Sequence, residues 1–241
     1  MTHTLLAVFA HPDDEFTVGP LLARCAAEGH RAFLASITSG QKGAAPHAGI
    51  PPGDALGALR EEELRRAAAA LGIPEPLLLG FQDQGITTPD VADAVAGRLR
   101  SIIADLHPDV LITLGPDGIT GHPDHRAASA IVTEVFQERR RLAWWPRKLY
   151  YTALPDSLLG AIPPPFDARL RTTADAFITT VVDCRAWLDA AGAAIRCHRT
   201  QWTPERMDQF DSLNRTVLGG RVHLRLAMAK CAETHILDGF S

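Results

Sequence analysis

Short apolar runs alternate along the chain with longer segments in which apolar residues recur every three or four positions. Residues 4–10 form the first run, whose continuity predicts a strand buried on both faces. Val18, Leu21, Leu22 and Cys25 then recur at helical spacing, and Gly29 supplies a stop. Residues 31–38 predict a second buried strand. Strand, helix, strand in this order is the βαβ pattern, which implies parallel pairing.

The alternation continues with a helix over 59–71, rich in Glu, Arg and Ala and closed by Gly72. A strand over 77–81, a helix over 91–106, a strand over 109–114 and a helix over 123–138 follow. Beyond them the order is less regular. Strands are predicted over 148–152 and 177–183 and a helix over 187–198, while 222–227 fits either state. The expected fold is α/β: a Rossmann-like, mostly parallel sheet with helices on both faces, plus a less regular C-terminal part, in one domain over 1–241. Two aperiodic stretches, 39–54 and 154–166 with its Pro163-Pro164-Pro165 run, are expected to line a site.

Composition narrows the function classes. A hydrophobic share of 46% with 22% charged residues is that of a soluble globular protein. The net charge of -4, without any Lys/Arg run, speaks against nucleic acid or a membrane surface as partner. No apolar stretch approaches the roughly 18 residues of a membrane span, and the start lacks the basic region of a signal peptide, so a cytoplasmic location is expected. Cys25, Cys184, Cys197 and Cys231 form no CxxC pair and read as free thiols. Trp144-Trp145 is either buried packing or an interface patch.

The chemistry concentrates in two clusters. Ala10-His11-Pro12-Asp13-Asp14-Glu15 stands where the first strand ends, and Gly121-His122-Pro123-Asp124-His125 stands just beyond the strand at 109–114. In open parallel sheets ligands bind outside the carboxyl ends of the strands, so the two clusters can share one cleft. Pro12 and Pro123 suit the first position of a helix. On such a helix His11 pairs with Asp14, and His122 with His125. Two imidazoles and a carboxylate suit catalytic zinc with an open position for water, whose pKa then falls to about 7. Asp13 could accept the proton of that water. His122 could donate to the leaving nitrogen or, protonated, stabilise the oxyanion. Asp124 would hold an imidazole in the required tautomer. Alone, Asp13, Asp14 and Asp124 could be helix caps, which is how His107-Pro108-Asp109 is read.

These two segments resemble the hallmarks of the PIG-L/LmbE superfamily of zinc-dependent N-acetylglucosaminyl deacetylases. Weaker similarities extend the resemblance from Thr4 to about Gln201: Thr38, Gly40 and Gly43; Arg60 and Glu63; Leu71-Gly72; Asp83 and Gly85; and His198-Arg199-Thr200-Gln201. The resemblance implies zinc on His11, Asp14 and His125, a general base at Asp13 and an acid or oxyanion-stabilising His122. It also implies Arg60 and Asp83 as contacts to a small-molecule N-acetylated aminosugar. On the residues alone, Arg60 could equally bridge to Glu61 or Glu63 along its helix. Thr120 stands where several relatives have tyrosine, and Gln41 where an acid is common.

The expected activity is removal of an acetyl group from an N-acetylglucosamine-type amide on a small glycoside or thiol precursor. The alternatives are an amidase acting on an aminosugar thiol conjugate and a sugar-binding protein with a relic metal site. A two-His, one-carboxylate set also suits Fe2+ or another divalent metal, but oxygenase chemistry has no use for the adjacent Asp13.

Overall fold

The computed structural model describes residues 2–138, 141, 143–162 and 170–229. Pro163 to Phe166, Cys231 and His235 lie outside the described residues. The elements run β1 (Thr4–Phe9), α1 (Gly19–Ala27), β2 (Arg31–Thr38), α2 (Asp54–Ala70), β3 (Leu77–Phe81), α3 (Pro89–Leu106) and β4 (Val110–Thr113). A single turn α4 (Gly118–Gly121) precedes α5 (Pro123–Gln137), β5 (Lys148–Thr152), β6 (Thr180–Asp183), α6 (Leu188–Ile195), α7 (Pro204–Ser212) and β7 (Arg221–Ala229).

The strands form one seven-stranded sheet in the order β3-β2-β1-β4-β5-β7-β6. The first five are parallel neighbours, whereas β7 runs antiparallel between β5 and β6. Alternation along β1 shows how the sheet is covered. Leu5, Ala7 and Phe9 pack with Leu22 of α1 and Leu64 of α2, while Leu6 and Val8 pack with Leu99 of α3 and Val132 of α5. A strand buried on both faces has no polar positions to spare, hence its continuous apolar run. The α/β expectation, with a mostly parallel sheet and helices on both faces, holds.

The irregular part resolves into an antiparallel edge. Residues 222–227, ambiguous by pattern, lie within β7. The strand expected from 177 begins only at Thr180, because Asp175–Phe177 form a 3-10 turn. Helix α7 escaped the pattern since its sequence is mostly polar and Met207 is its one buried residue. Its start is nevertheless marked: the Thr203 hydroxyl accepts from Arg206 N, and Pro204 follows. The stretch 39–54 carries a short 3-10 turn at Pro46–Ala48 and a bridge between Ala45 and Ile50. The tryptophans are tied into the fold, Trp144 Nε1 donating to Pro108 O and Trp145 Nε1 to Phe136 O.

From β1 the chain winds outward through β2 and β3, then returns to place β4 on the other side of β1. This reversal opens a crevice above the carboxyl ends of β1 and β4. His11 follows β1 by two residues, and α4 leads from β4 to His122.

Candidate active site

A cavity of about 1010 Å³ occupies that crevice, with His11, Asp13, Asp14, Asp83, His122 and His125 in its lining. The expected helix starting at Pro12 is absent. His11 and Pro12 lie in a turn, Asp13 is left-handed with φ 93°, and only a 3-10 turn, Asp14–Thr17, follows. The pairing of His11 with Asp14 is therefore made by the turn itself: His11 N donates to Asp14 Oδ2 at 3.0 Å. The second cluster behaves as expected. His122 is the N-cap of α5, its Nδ1 accepting from Asp124 N at 3.2 Å, and Pro123 is the first helical residue.

His11 Nδ1 and His125 Nε2 lie 3.2 Å apart, Asp14 Oδ1 is 3.1 Å from His125 Nε2, and Asp14 Oδ2 is 3.7 Å from His11 Nδ1. Ligands about 2.0–2.1 Å from a tetrahedral metal sit roughly 3.3 Å from one another; the two imidazole nitrogens have that spacing, while Asp14 meets them through different oxygens, Oδ1 toward His125 and Oδ2 toward His11. The outer nitrogens are committed elsewhere. His11 Nε2 donates to Asp83 Oδ1 at 3.1 Å with Asp124 Oδ2 at 3.5 Å, and His125 Nδ1 donates to Gly118 O at 2.9 Å. With their protons there, both imidazoles turn lone pairs toward each other beside a carboxylate. That donor set repels itself unless a cation stands among it, and it fits a divalent metal.

Among the described residues, two triplets have one donor atom each within 4.8 Å of the others: His11, His122, His125 and His11, Asp83, Asp124. In the first, His122 Nδ1 is already used as an acceptor. In the second, both carboxylates face the outer nitrogen of His11. Asp14 belongs to neither triplet, yet its carboxylate lies beside both His11 Nδ1 and His125 Nε2.

Charge reinforces the geometry. Burial pulls the His11 imidazole down, but hydrogen bonds to Asp124 and Asp83 and the Asp14 charge push it up to about 10. Burial likewise raises Asp14, yet His125 and His11 hold it well below the usual carboxylate range. A positive charge is thus favoured at this point. Asp83 is brought down to about 2 against its own burial, chiefly by His11.

Asp13 differs from its neighbour. Burial raises it to about 6, against the opposing charge of Arg60, whose Nη2 lies 3.3 Å from Asp13 Oδ2. Its left-handed backbone is held from both sides. Arg60 Nη2 donates to Pro12 O at 2.7 Å, and Asp13 N donates to Glu15 Oε2 at 3.0 Å. Glu15 Oε1 in turn receives His198 Nε2 in a pair that is fully buried. Among the described residues the non-glycine positive-φ positions are Asp13, Gln84, His107 and Ile119, and all but His107 line the cavity. Strain of this kind persists where the surroundings enforce it, and it gathers at functional sites.

Arg60 makes neither bridge along its helix. Glu63 is taken by Thr200, whose N and Oγ1 both donate to it, and the guanidinium instead reaches Gly40 O and Pro12 O. Gly40, at φ 62°, makes this possible, since a Cβ there would collide with the guanidinium. Asp83, expected as a sugar contact, is already engaged by His11 and by Lys42 N. Asp124 Oδ2 accepts from Gln84 N at 2.7 Å, which ties the second cluster to the loop after β3. Thr120 lines the cavity, its hydroxyl turned to Gly118 O, while Gln41 is buried and bonded to Gln82. His122 Nδ1 accepts from Asp124 N, which leaves Nε2 as the nitrogen free to donate; burial, then the charges of His11 and His125, lower its pKa.

Sequence reading missed the Glu15–His198 pair and the rings of Phe16, Trp202 and Phe210 at the cavity wall. His198 stood among the weaker similarities, but its link to Glu15 spans 183 positions and has no local signature.

An open, mostly parallel sheet with a His/Asp cluster and a further carboxylate in its crevice is an architecture suited to hydrolysis. The chain belongs to the PIG-L family: the family model, described as GlcNAc-PI de-N-acetylase, matches residues 6–136. It is accordingly an enzyme of the N-deacetylase class, a hydrolase of amide bonds. The 1D-myo-inositol 2-acetamido-2-deoxy-alpha-D-glucopyranoside deacetylase of Rhodococcus opacus (strain B4) is 36% identical over 238 residues, covering 83% of this chain and 82% of the relative. The N,N'-diacetylchitobiose deacetylase of Pyrococcus horikoshii superposes with a TM-score of 0.67 at 18% identity, covering 99% of this chain and 88% of that one. GalB, the 4-carboxy-2-hydroxymuconate hydratase of Pseudomonas putida KT2440, reaches 0.72 at 17% identity, covering 97% and 100%. These structural likenesses speak for the fold alone, which a hydratase and a deacetylase share.

Proposed function

We propose that the protein removes the acetyl group from an N-acetylglucosamine-type amide on a small glycoside or thiol precursor, with zinc as its metal. The reading rests on one observation: His11 Nδ1, Asp14 and His125 Nε2 lie together in the cavity with a strained, half-buried Asp13 beside them. His11, Asp14 and His125 would hold the ion, with Asp83, Asp124 and Gly118 O fixing the tautomers of the two imidazoles. Bound there, zinc supplies Lewis acidity, polarising the acyl oxygen and making water acidic near neutral pH.

The remaining work falls to the chain's own groups. Asp13, raised by burial toward neutrality, takes a proton from the attacking water as it adds to the acetamide carbon. Arg60 keeps that carboxylate in place through its charge and its bond to Pro12 O. His122 presents Nε2–H to the oxygen that gains negative charge. The proton held by Asp13 then passes to the leaving nitrogen, the C–N bond breaks, and acetate and a free amine leave. The named substrate of the Rhodococcus opacus relative, an acetamido-glucopyranoside, supports this substrate class.

The test is amine release from a panel of N-acetylglucosaminides by the purified, zinc-loaded protein. Equimolar acetate and primary amine are expected. Stoichiometric zinc binding without amine release from any member would overturn the reading.

A further inference from the structure

Both side chains that the family resemblance implies as sugar contacts are already engaged within the protein. Asp83 is held by His11 and by Lys42 N, and Arg60 by Gly40 O, Pro12 O and Asp13. Gln82, one residue before Asp83, accepts from Gln41 Nε2 at 2.9 Å. Gln84, one residue after it, is different. It lines the cavity and is exposed, and among the described residues its carboxamide makes no hydrogen bond.

The backbone beneath that carboxamide is held firmly. Gly85 N donates to Gln82 O at 3.1 Å, closing a β-turn whose third residue is Gln84, with φ 60°. Such a position favours glycine or asparagine, and a glutamine there carries strain. Asp124 holds it in place, Oδ2 accepting from Gln84 N at 2.7 Å. The same Oδ2 lies 3.5 Å from His11 Nε2, to which Asp83 is bonded at 3.1 Å. The two carboxylates that orient the His11 imidazole thus also fix the point from which the Gln84 side chain extends. Glycine would satisfy the turn without steric cost, so the turn itself gives no reason for a glutamine. The side chain does. A carboxamide both donates and accepts, which matches a hydroxyl, and it offers an anionic group no charge to pair with.

We infer that Gln84 is a specificity-determining residue whose carboxamide hydrogen-bonds a ring hydroxyl of the aminosugar that reacts beside His11. This rests on the deacetylase reading and deepens it, moving recognition of the sugar from Asp83 to the next residue along the turn.

Gln84→Gly removes the carboxamide but keeps the left-handed backbone and the N–H that Asp124 accepts. The substitution is placed in the full-length, zinc-loaded Asp13→Asn protein, where binding is read without turnover. Calorimetric titration uses methyl N-acetylglucosaminide and its 3-deoxy, 4-deoxy and 6-deoxy analogues. For the parent sugar, Gln84→Gly should weaken binding about five- to tenfold, the scale of one hydrogen bond. One analogue should bind equally with and without the carboxamide, because the deleted hydroxyl and the deleted amide are partners. The other two should lose the full factor. Gln84→Asn also suits the left-handed region and shortens the reach by one carbon, so it should give the same pattern and decides should Gln84→Gly fail to fold. An equal loss on all four ligands, no loss on any, or no binding of the parent sugar would overturn the contact. So would loss of zinc from the Gln84→Gly protein, which marks a structural role. Amine release by the protein with Asp13 intact separates the two readings. Coupling without amine release breaks the deacetylase reading and leaves the contact standing; amine release without coupling does the reverse.

Discussion

His11-Pro12-Asp13 and His122-Pro123-Asp124 are the same tripeptide built into two backbone conformations. After β1 it forms a turn with a left-handed Asp13 whose carboxylate meets Arg60. After β4 it opens α5, and Asp124 is drawn inward until its carboxylate reaches the outer nitrogen of His11. The tripeptide does not choose between these outcomes; its surroundings do. Arg60 and Glu15 grip the first from either side, while the second meets a helix able to propagate from Pro123. An aspartate beside a proline thus becomes the candidate base in one copy and a support for the His11 imidazole in the other.

Substitutions can break this contrast in graded steps. Ligand loss has the largest effect. His125→Ala should abolish stoichiometric zinc binding and reduce amine release to background, as metal analysis and a fixed-time assay would show. Retained zinc would mean that Asp14 and His11 recruit a third ligand other than His125. Next comes Asp13→Asn, expected to lower kcat by about 10²–10⁴-fold with zinc content unchanged. The equivalent change in the other copy, Asp124→Asn, should cost about 10–100-fold, as for groups that orient a ligand. Equal losses from the two would erase the division of labour between the aspartates.

Glu15→Gln tests what holds the strained turn. It should lower kcat by about 10–100-fold with little change in KM and cost about 1–3 kcal/mol of stability. Its pH dependence has a definite sign. Burial pulls His198 down, but the Glu15 charge and hydrogen bond more than reverse this, leaving its pKa raised. A raised histidine contributes stability fully below its unfolded pKa of about 6.5 and loses it as pH rises through the folded value. The stability gap between wild type and Glu15→Gln should therefore be widest at mildly acidic pH and narrow toward alkaline pH in chemical denaturation. A gap that stays constant or widens would place the stabilisation elsewhere. The smallest effect concerns the cap. His122→Ala should be less stable than His122→Asn by about 1 kcal/mol, since asparagine can replace Nδ1 as acceptor at the start of α5.

Much of the fold was legible because parallel strands buried on both faces leave unbroken apolar runs, as at β1 and β2, and amphipathic helices leave a period. Both His/Asp clusters were legible because their residue types are dense and sit where strands end. The conformation of Asp13 was not, since the forces that impose it come from Arg60 and, through Glu15, from His198. Helix α7 was hidden by its polarity, and β7 by a pattern that suits either state. The apolar wall was hidden for a related reason: Phe16, Trp202 and Phe210 are ordinary scattered aromatics until the chain closes on itself.

The 183-position link from Glu15 to His198 also has a temporal meaning. A chain emerging from the ribosome exposes the whole first cluster early, but the imidazole that anchors Glu15 arrives only after most of the sheet has been synthesised. Contacts so remote in sequence close late and slowly. The turn at Asp13 thus leans on a contact that no N-terminal portion of the chain can make by itself.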